Sequence, residues 1–212
     1  MTTSYTDRLL IVDLSDKSVE TMGVPASMKN DFIGGKGYGA KLLYDRLPQG
    51  ADPLGRDNLL LFLPGPLTGT LAPAMRGCVV TRSPLTGLFL DSYFGGSLGA
   101  EIKYAGFDGI VITGKAAHPS YIWIDDDQVE IRDADHLWGK DTLSANHRIK
   151  KELEDDTIKI ATIGQAGENQ VLFSLIACEY NRQAGRGGAG AVMGSKNLKA
   201  LAVRGSKPVA VH

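Results

Sequence analysis

A glycine-rich run near the C-terminal end combines residue types that bind phosphate. Residues 182–190 read RQAGRGGAG, with two arginines among four glycines, and a helix-compatible stretch follows over residues 191–196. Glycine lets backbone N–H groups approach a ligand closely, and a helix that begins just after adds the positive end of its dipole. Arginine offers a planar fork to phosphate or to a flat heterocycle. The run therefore predicts a site for a large anionic, partly aromatic cofactor.

A second glycine loop, residues 94–99, precedes another predicted helix earlier in the chain. Around the two loops the sequence repeats one order of parts: hairpin, helix, apolar strand, polar loop, strand, glycine loop, helix, strand. This order predicts an internal duplication with halves of about 1–117 and 118–212, although chance similarity between glycine-rich segments is the alternative. The expected fold is a single α+β domain, in which two similar mixed-sheet halves around a pseudo-two-fold axis bring both loops to one central groove.

Patterns of apolar residues and turn signals place the individual elements. Strands are predicted over residues 8–14, 19–22, 59–63, 77–81, 109–113, 121–124, 129–132, 158–163, 171–173 and 200–203. Helices are predicted over residues 40–47, up to 104 after the first glycine loop, 142–153 and 191–196.

Composition narrows the class of protein. The chain has 212 residues, is 43% hydrophobic and 22% charged, and carries a net charge of −1, which does not favour nucleic acid or an anionic membrane as a partner. No apolar run is long enough to span a bilayer, and the first residues lack the pattern of a signal peptide, so the cytoplasm is expected. Cys78 and Cys178 are far apart and are expected to be buried, not to hold zinc or an iron–sulfur cluster.

Weaker candidates surround these signals. Arg76 lies in a loop of small and apolar residues, where either a ligand contact or a solvated charge is expected. Residues 34–39, GGKGYG, match neither G-x-G-x-x-G nor a P-loop, and a tight helix entry is as good an interpretation as a ligand role. Asp125, Asp126 and Asp127 fit a hairpin tip better than a metal cluster.

Two further groups of side chains favour structure over catalysis. Glu168 follows an apolar strand and is expected to cap a turn more than to orient a site. The four histidines have no spacing typical of catalytic zinc: His118, His136, His147 and His212.

Five segments in order resemble one family over nearly the whole chain. They are GPLTGT at residues 65–70, SPLTG at 83–87, KYAGFD at 103–108, IGQAGEN at 163–169 and RGGAGAVMGSKNLKA at 186–200. Together they resemble the N-terminal domain of the tungsten-dependent aldehyde ferredoxin oxidoreductase family. The resemblance implies two similar mixed-sheet halves on which the cofactor lies.

The resemblance also implies a cofactor and the residues that hold it. The cofactor is tungsten, or molybdenum in some relatives, chelated by two pyranopterins whose phosphates are bridged by Mg²⁺. The implied cofactor-binding residues are Arg76, Tyr93, Gly95, Gly96, Arg182, Gln183, Gly185, Arg186 and Gly187. Tyr93 and Gln183 would reach Mg²⁺ through their backbone carbonyls, and Tyr93 stands where relatives often have asparagine.

The implied function is oxidation of aldehydes to carboxylic acids, with electrons passed to ferredoxin. In the family the iron–sulfur cysteines and the acid–base residues belong to later domains, so no catalytic residue is expected in this chain. It is expected to work with those domains or with a partner subunit that carries the cluster, and it could form a homodimer. The alternative is a module that binds or scaffolds the pterin cofactor without turnover of its own.

Overall fold

The computed structural model describes residues 4–211, which form two six-stranded sheets and six α-helices; His212 lies outside the described residues. The first sheet contains β1 (Arg8–Asp13), β2 (Ser18–Gly23), β3 (Leu60–Pro64), β4 (Gly77–Arg82), β5 (Phe89–Phe94) and β6 (Gly109–Thr113). The second sheet contains β7 (Ser120–Asp125), β8 (Gln128–Asp133), β9 (Lys159–Thr162), β10 (Ile176–Cys178), β11 (Arg182–Ala184) and β12 (Leu198–Arg204). The helices are α1 (Ala26–Phe32), α2 (Lys36–Arg46), α3 (Leu98–Tyr104), α4 (Thr142–Glu152), α5 (Gln165–Glu168) and α6 (Ala189–Ser195).

Both sheets have the same strand order. The first runs β2-β1-β6-β3-β4-β5 and the second runs β8-β7-β12-β9-β10-β11. In each sheet the pair formed by the first and last strands of the half is parallel, and the other pairs are antiparallel. The predicted class, α+β with two mixed sheets, is confirmed. Because of this order, β5 and β11 are the edge strands of their sheets.

The helices and sheets stack in layers around one central core. Alternation along β3 sends Phe62 to the central core and Leu61 to the outer face, where α1 and α2 pack. Helices α3 and α6 lie between the two sheets, since each contacts strands of both. Helix α4 covers the outer face of the second sheet through Ile149. The central core is therefore shared by both halves.

The two halves also exchange backbone hydrogen bonds. Beyond β6, the N–H of Ala116 donates to the carbonyl of Lys196 at 3.0 Å, at the end of α6. Beyond β12, the N–H of Lys207 donates to the carbonyl of Tyr104 at 2.8 Å, at the end of α3. The segment after the last strand of each half is therefore hydrogen-bonded to the end of a helix of the other half. These bonds fix the two halves relative to each other.

Some predicted elements differ from the structure. Residues 171–173 form no strand, because they lie in a turn in which Leu172 and Phe173 are exposed. The strands of this region are β10 and β11, which were not predicted with these bounds, and β5 and α1 were not predicted either. β5 alternates in burial, two of the three residues of β11 are exposed, and the apolar run of β10 is only three residues long.

The two cysteines are free and buried, as expected. Cys78 lies in β4 and Cys178 in β10, and burial raises the pKa of each thiol to about 12.

Among residues 4–211, no helix is both long and apolar enough to cross a membrane.

Buried lysines connect distant segments. The ammonium of Lys103 is paired with Asp108, whose carboxylate also accepts the N–H groups of Thr6 and Asp7. Lys196 differs, because its fully buried ammonium donates to two carbonyls, of Gly114 at 2.9 Å and Arg56 at 3.2 Å. Burial lowers the pKa of Lys196 to about 8, against the opposing effect of nearby carboxylates.

We expect Lys196 to make the stability of the chain depend on pH. An unfolded chain keeps this proton up to about 10.5, whereas the folded chain releases it near 8, so the unfolded state binds more protons between these values. The contribution of Lys196 to the free energy of unfolding therefore rises with pH across that window. Relative to Lys196→Met, the parent should gain on the order of 3 kcal/mol between about pH 7 and about pH 11, measured by urea denaturation. Lys151→Met, at an exposed position, is the control for removing a lysine from the chain.

Candidate functional site

A polar groove opens where the ends of β5 and β11 meet. Its volume is about 610 Å³. It is lined by Pro73, Met75, Arg76, Tyr93, Phe94, Gly95, Gly96, Asn181, Arg182 and Gln183. We call it the Arg76–Arg182 groove. Both halves of the chain contribute to it, as the sequence analysis expected of a central groove.

The loop before β4 holds Arg76 at one side of this groove. The buried hydroxyl of Thr68 accepts the N–H of Gly65 and donates to the carbonyl of Arg76, both at 3.1 Å. The loop also lies against Gly99 of α3, where an added Cβ would come within 3.3 Å of the carbonyl of Met75. The backbone of Arg76 is therefore fixed while its side chain is exposed.

The Gly95–Gly96 loop is held in place by a carboxylate from the other half of the chain. Glu179 accepts the N–H groups of Ser97 and Leu98, the latter at 3.0 Å, at the beginning of α3. Negative charge at this end of a helix is favourable, because the first N–H groups have no partner within the helix. Gly96 has φ of +83° and an added Cβ would collide with the Glu179 carboxylate. The loop thus requires glycine at this position.

Arg182 and Gln183 come from the second sheet, on β11. Arg182 pairs with Cys178 and Gln183 with Ala177 of β10. The side chain of Arg182 crosses to the first half, where its Cδ lies 3.6 Å from the Cβ position of Gly95. Its aliphatic part therefore covers the glycine loop while its guanidinium remains exposed.

The arginines of this region have no carboxylate partner in the structure. The arginine ion pairs among residues 4–211 are those of Arg8, Arg132 and Arg204. Arg76, Arg182 and Arg186 take no part in them. The donors of their guanidiniums are available to an anion from outside the chain.

The remaining candidates lie just beyond the groove, along β5. The N–H of Arg186 donates to the hydroxyl of Ser92 at 3.2 Å, and the carbonyl of Gly187 accepts from Ser83 at 2.7 Å. An added Cβ at Gly187 would collide with Leu90. The structure therefore brings Arg76, Tyr93, Gly95, Gly96, Arg182 and Gln183 into one groove and places Gly185, Arg186 and Gly187 beside it.

The glycines near the groove leave backbone donors unused. Within the described part of the chain, the N–H groups of Gly95, Gly96, Gly185 and Gly187 donate no hydrogen bond. Together with unpaired guanidiniums, these donors have the chemistry that phosphate groups require. The donor set fits the phosphate groups of the cofactor that the resemblance implies.

Tyr93 adds an aromatic ring to the groove and has charged neighbours. Its β5 neighbour Asp91 lies 3.4 Å from the ammonium of Lys36, which lies near the phenol of Tyr93. Desolvation of the ring, followed by the Asp91 carboxylate, raises the pKa of Tyr93, so the phenol remains protonated near neutral pH. The Asp91 carboxylate also raises the pKa of Lys36.

Other candidates from the sequence lie outside the groove. Asp126 accepts the N–H of Ser206, and Asp127 forms ion pairs with Arg8 and Lys207. The tip of the β7–β8 hairpin therefore joins residues 206–207 to β1. Glu168 accepts the N–H of Gly139 and pairs with the buried Lys199, a structural role. Across residues 4–211, no three or more His, Cys, Asp or Glu side chains are grouped to hold a metal ion.

Three features near the groove were not predicted from the sequence: Glu179, Asn181 and the Lys36–Asp91 pair. Glu179 has no local signal, because the N–H groups that it caps lie more than 80 residues away. Lys36 lies in the GGKGYG motif, whose role was open between helix entry and ligand contact. Nothing in that motif indicates that β5 runs beside it.

Nearly the whole chain is similar to known proteins. The sequence model described as "Aldehyde ferredoxin oxidoreductase, N-terminal domain" matches residues 9–205. The "Tungsten-containing aldehyde ferredoxin oxidoreductase" of Pyrococcus horikoshii is 46% identical over 208 residues, which cover 98% of this chain and 34% of the relative. That of Thermococcus kodakarensis is 48% identical and covers 96% and 34%.

Relatives with other names are also similar. The "Aliphatic sulfonate oxidoreductase, WOR-like subunit" of Pyrococcus furiosus is 40% identical, covering 97% of this chain and 35% of the relative. Among solved structures, "Active site complex BamBC of Benzoyl Coenzyme A reductase in complex with 1,5 Dienoyl-CoA" matches with a TM-score of 0.97 and 43% identity. It covers 100% of this chain and 32% of the matched chain. The chain therefore spans about one third of the length of these relatives.

We expect Gly96→Ala to destabilise the chain by about 1–3 kcal/mol, because alanine is strained at this φ and its Cβ displaces the Glu179 carboxylate. Urea denaturation measures the change. Gly23→Ala is the matched control, since no atom lies within 4 Å of its Cβ position and its φ lies outside the range that strains alanine. An equal effect of the two substitutions would contradict this account of the loop.

Proposed function

Because this chain belongs to the aldehyde ferredoxin oxidoreductase family as an N-terminal domain, we propose that it binds a tungsten bis-pyranopterin cofactor within a larger enzyme. That enzyme oxidises aldehydes to carboxylic acids and passes the electrons to a ferredoxin-like acceptor. Since the chain spans about one third of its relatives, the remaining parts of the reaction are assigned to other domains or to a partner subunit.

One observation carries this proposal: unpaired cationic groups and free N–H donors converge on a single groove. Arg76 and Arg182 come from different halves and have no carboxylate partner among residues 4–211. Elsewhere the buried Lys103 and Lys199 are paired with carboxylates. Cationic side chains kept without partners around glycine N–H groups suit a polyanionic ligand.

We assign the proposed contacts from the side chains and backbone of this chain. Arg76 and Arg182 hold phosphate or pterin from opposite sides, and Gly95 and Gly96 supply N–H groups. Gly185, Arg186 and Gly187 act beside the groove, where this segment packs against Leu90 and Ser92 of β5. Mg²⁺ would be held by the backbone carbonyls of Tyr93 and Gln183, which occupy corresponding edge strands of the two sheets.

When bound, the cofactor supplies the redox chemistry through its metal and dithiolenes. The proposed part of this chain is to bind and orient the cofactor and to exclude water from one side of it. No residue of the chain is proposed as an acid, base or nucleophile. Those groups, and the cysteines of the iron–sulfur cluster, are proposed to lie in the remaining domains or in a partner subunit.

An apolar surface near the beginning of β5 supports assembly into a larger enzyme. It comprises the exposed side chains of Leu85, Leu88, Phe89, Leu172, Phe173 and Leu175, and we call it the Leu88 patch. Its two segments are adjacent, since Pro84 and Leu172 both lie against Gly188. Clustered exposed apolar side chains are typical of surfaces that another domain or subunit covers.

The domain organisation is part of the same proposal. We propose one cofactor-binding domain made of half-repeats, about residues 1–117 and 118–212, because the two sheets have the same strand order and pairing directions. We also propose a cytoplasmic location, since free buried cysteines suit a reducing compartment. A homodimer is compatible with the Leu88 patch as a self-association surface.

The aldehyde substrate rests on the relatives' names alone. Relatives at 46–48% identity are named for aldehyde, whereas that at 40% is named for aliphatic sulfonate and the solved structure for benzoyl coenzyme A. These relatives share this third of their length but are named for different substrates. We therefore propose that the substrate is selected by the rest of the enzyme.

We expect the chain, isolated without oxygen from cells that make tungstopterin, to contain tungsten and pterin. Arg182→Ala should lower cofactor affinity by about tenfold, because charge-assisted hydrogen bonds contribute about 1.5–3 kcal/mol. Tungsten is measured by mass spectrometry and pterin by fluorescence after oxidation. Arg148→Ala, an exposed arginine on α4, is the control and should retain parental cofactor content. A folded chain that contains neither metal nor pterin would contradict the proposal.

A further inference from the structure

Residues 34–39 contain four glycines at the beginning of α2. An added Cβ would collide with the Phe32 carbonyl at Gly37, and would come within 2.7 Å of Val80 at Gly39. Gly37 and Gly39 therefore serve packing, in agreement with the structural interpretation of the motif. Lys36, between them and Gly35, is exposed at the surface.

The ammonium of Lys36 is held by a side chain of β5. It lies 3.4 Å from Oδ2 of Asp91 and near the phenol of Tyr93. Asp91 and Tyr93 are two positions apart on one strand, so both project from the same side of it. An ammonium has three donors, and with 61% of the side chain exposed, Lys36 can still donate to a ligand.

Tyr93 connects this cation to the Arg76–Arg182 groove. Its exposed side chain lines the groove together with Arg76 and Arg182. Lys36 therefore lies at the edge of the same site, on the side of β5 away from the central core. Its pair with Asp91 is largely solvated and is expected to contribute about 0–1 kcal/mol to stability. So small a contribution to the free energy of unfolding does not explain why Asp91 holds the Lys36 ammonium near Tyr93.

We propose that Lys36 is a further ligand-binding residue of this groove, and that its ammonium contacts a phosphate oxygen next to Tyr93. This inference rests on the proposed function, because it takes the groove to bind phosphorylated ligand. Asp91 holds the ammonium in place. Lys36 thus adds a third cation to those of Arg76 and Arg182.

Titration of the chain with inorganic pyrophosphate by calorimetry tests the proposal without turnover. We expect Lys36→Met to weaken pyrophosphate binding by about tenfold, as the loss of a charge-assisted hydrogen bond predicts. Lys36→Arg should retain most of the affinity, because it keeps the charge. Lys41→Met is the matched control, since it breaks an exposed ion pair with Asp45 on the same helix.

Arg182→Ala separates failure of this inference from failure of the proposed function. If Arg182→Ala weakens pyrophosphate binding but Lys36→Met and Lys41→Met both leave it unchanged, the role of Lys36 is wrong and the groove stands. If the parent does not bind, or binds as Arg182→Ala does, the proposed phosphate site itself is wrong. Equal weakening by Lys36→Met and Lys41→Met would reduce the effect to net charge and overturn the specific contact. Thermal unfolding of each variant confirms that it is folded.

Discussion

The site depends on the meeting of two open sheet edges. Strands β5 and β11 are the last strands of their sheets, and they lie beside each other without a shared ladder. An edge strand presents backbone N–H and C=O groups that no neighbouring strand satisfies. Here those edges are next to glycine loops and exposed arginines. The unsatisfied groups of two sheets are thereby concentrated in one groove, where a polar ligand can satisfy them.

That juxtaposition requires the halves to be fixed relative to each other. The central core contains side chains of both sheets, with α3 and α6 between them. Lys196 extends from the second half to the carbonyls of Arg56 and Gly114 in the first. Glu179 makes the corresponding contact at the groove, since it caps α3 from the other half. Because these contacts are buried or partly buried, moving one edge relative to the other would expose core and leave polar groups unpaired.

The sequence predicts the features that depend on local patterns. The apolar residues of β3 identify a central strand, and the mixture of arginine and glycine predicts an anion site. Short strands such as β11 have no such pattern, since Arg182 and Gln183 on it are exposed. The cap by Glu179 and the orientation of Lys36 by Asp91 join residues far apart in the chain. Such contacts follow from topology, which periodicity alone does not specify.

Charge is distributed differently in the core and at the groove. In the core, Lys103 and Lys199 are each matched by a carboxylate, which offsets the cost of burying a charge. Lys196 has carbonyl partners instead, and burial lowers its pKa. At the groove, solvent allows Arg76 and Arg182 to remain unpaired, and the nearby Glu179 is engaged with backbone N–H groups instead. The groove therefore keeps an excess of positive charge in a chain whose net charge is −1. This local excess attracts an anion, whereas the balanced remainder of the chain does not.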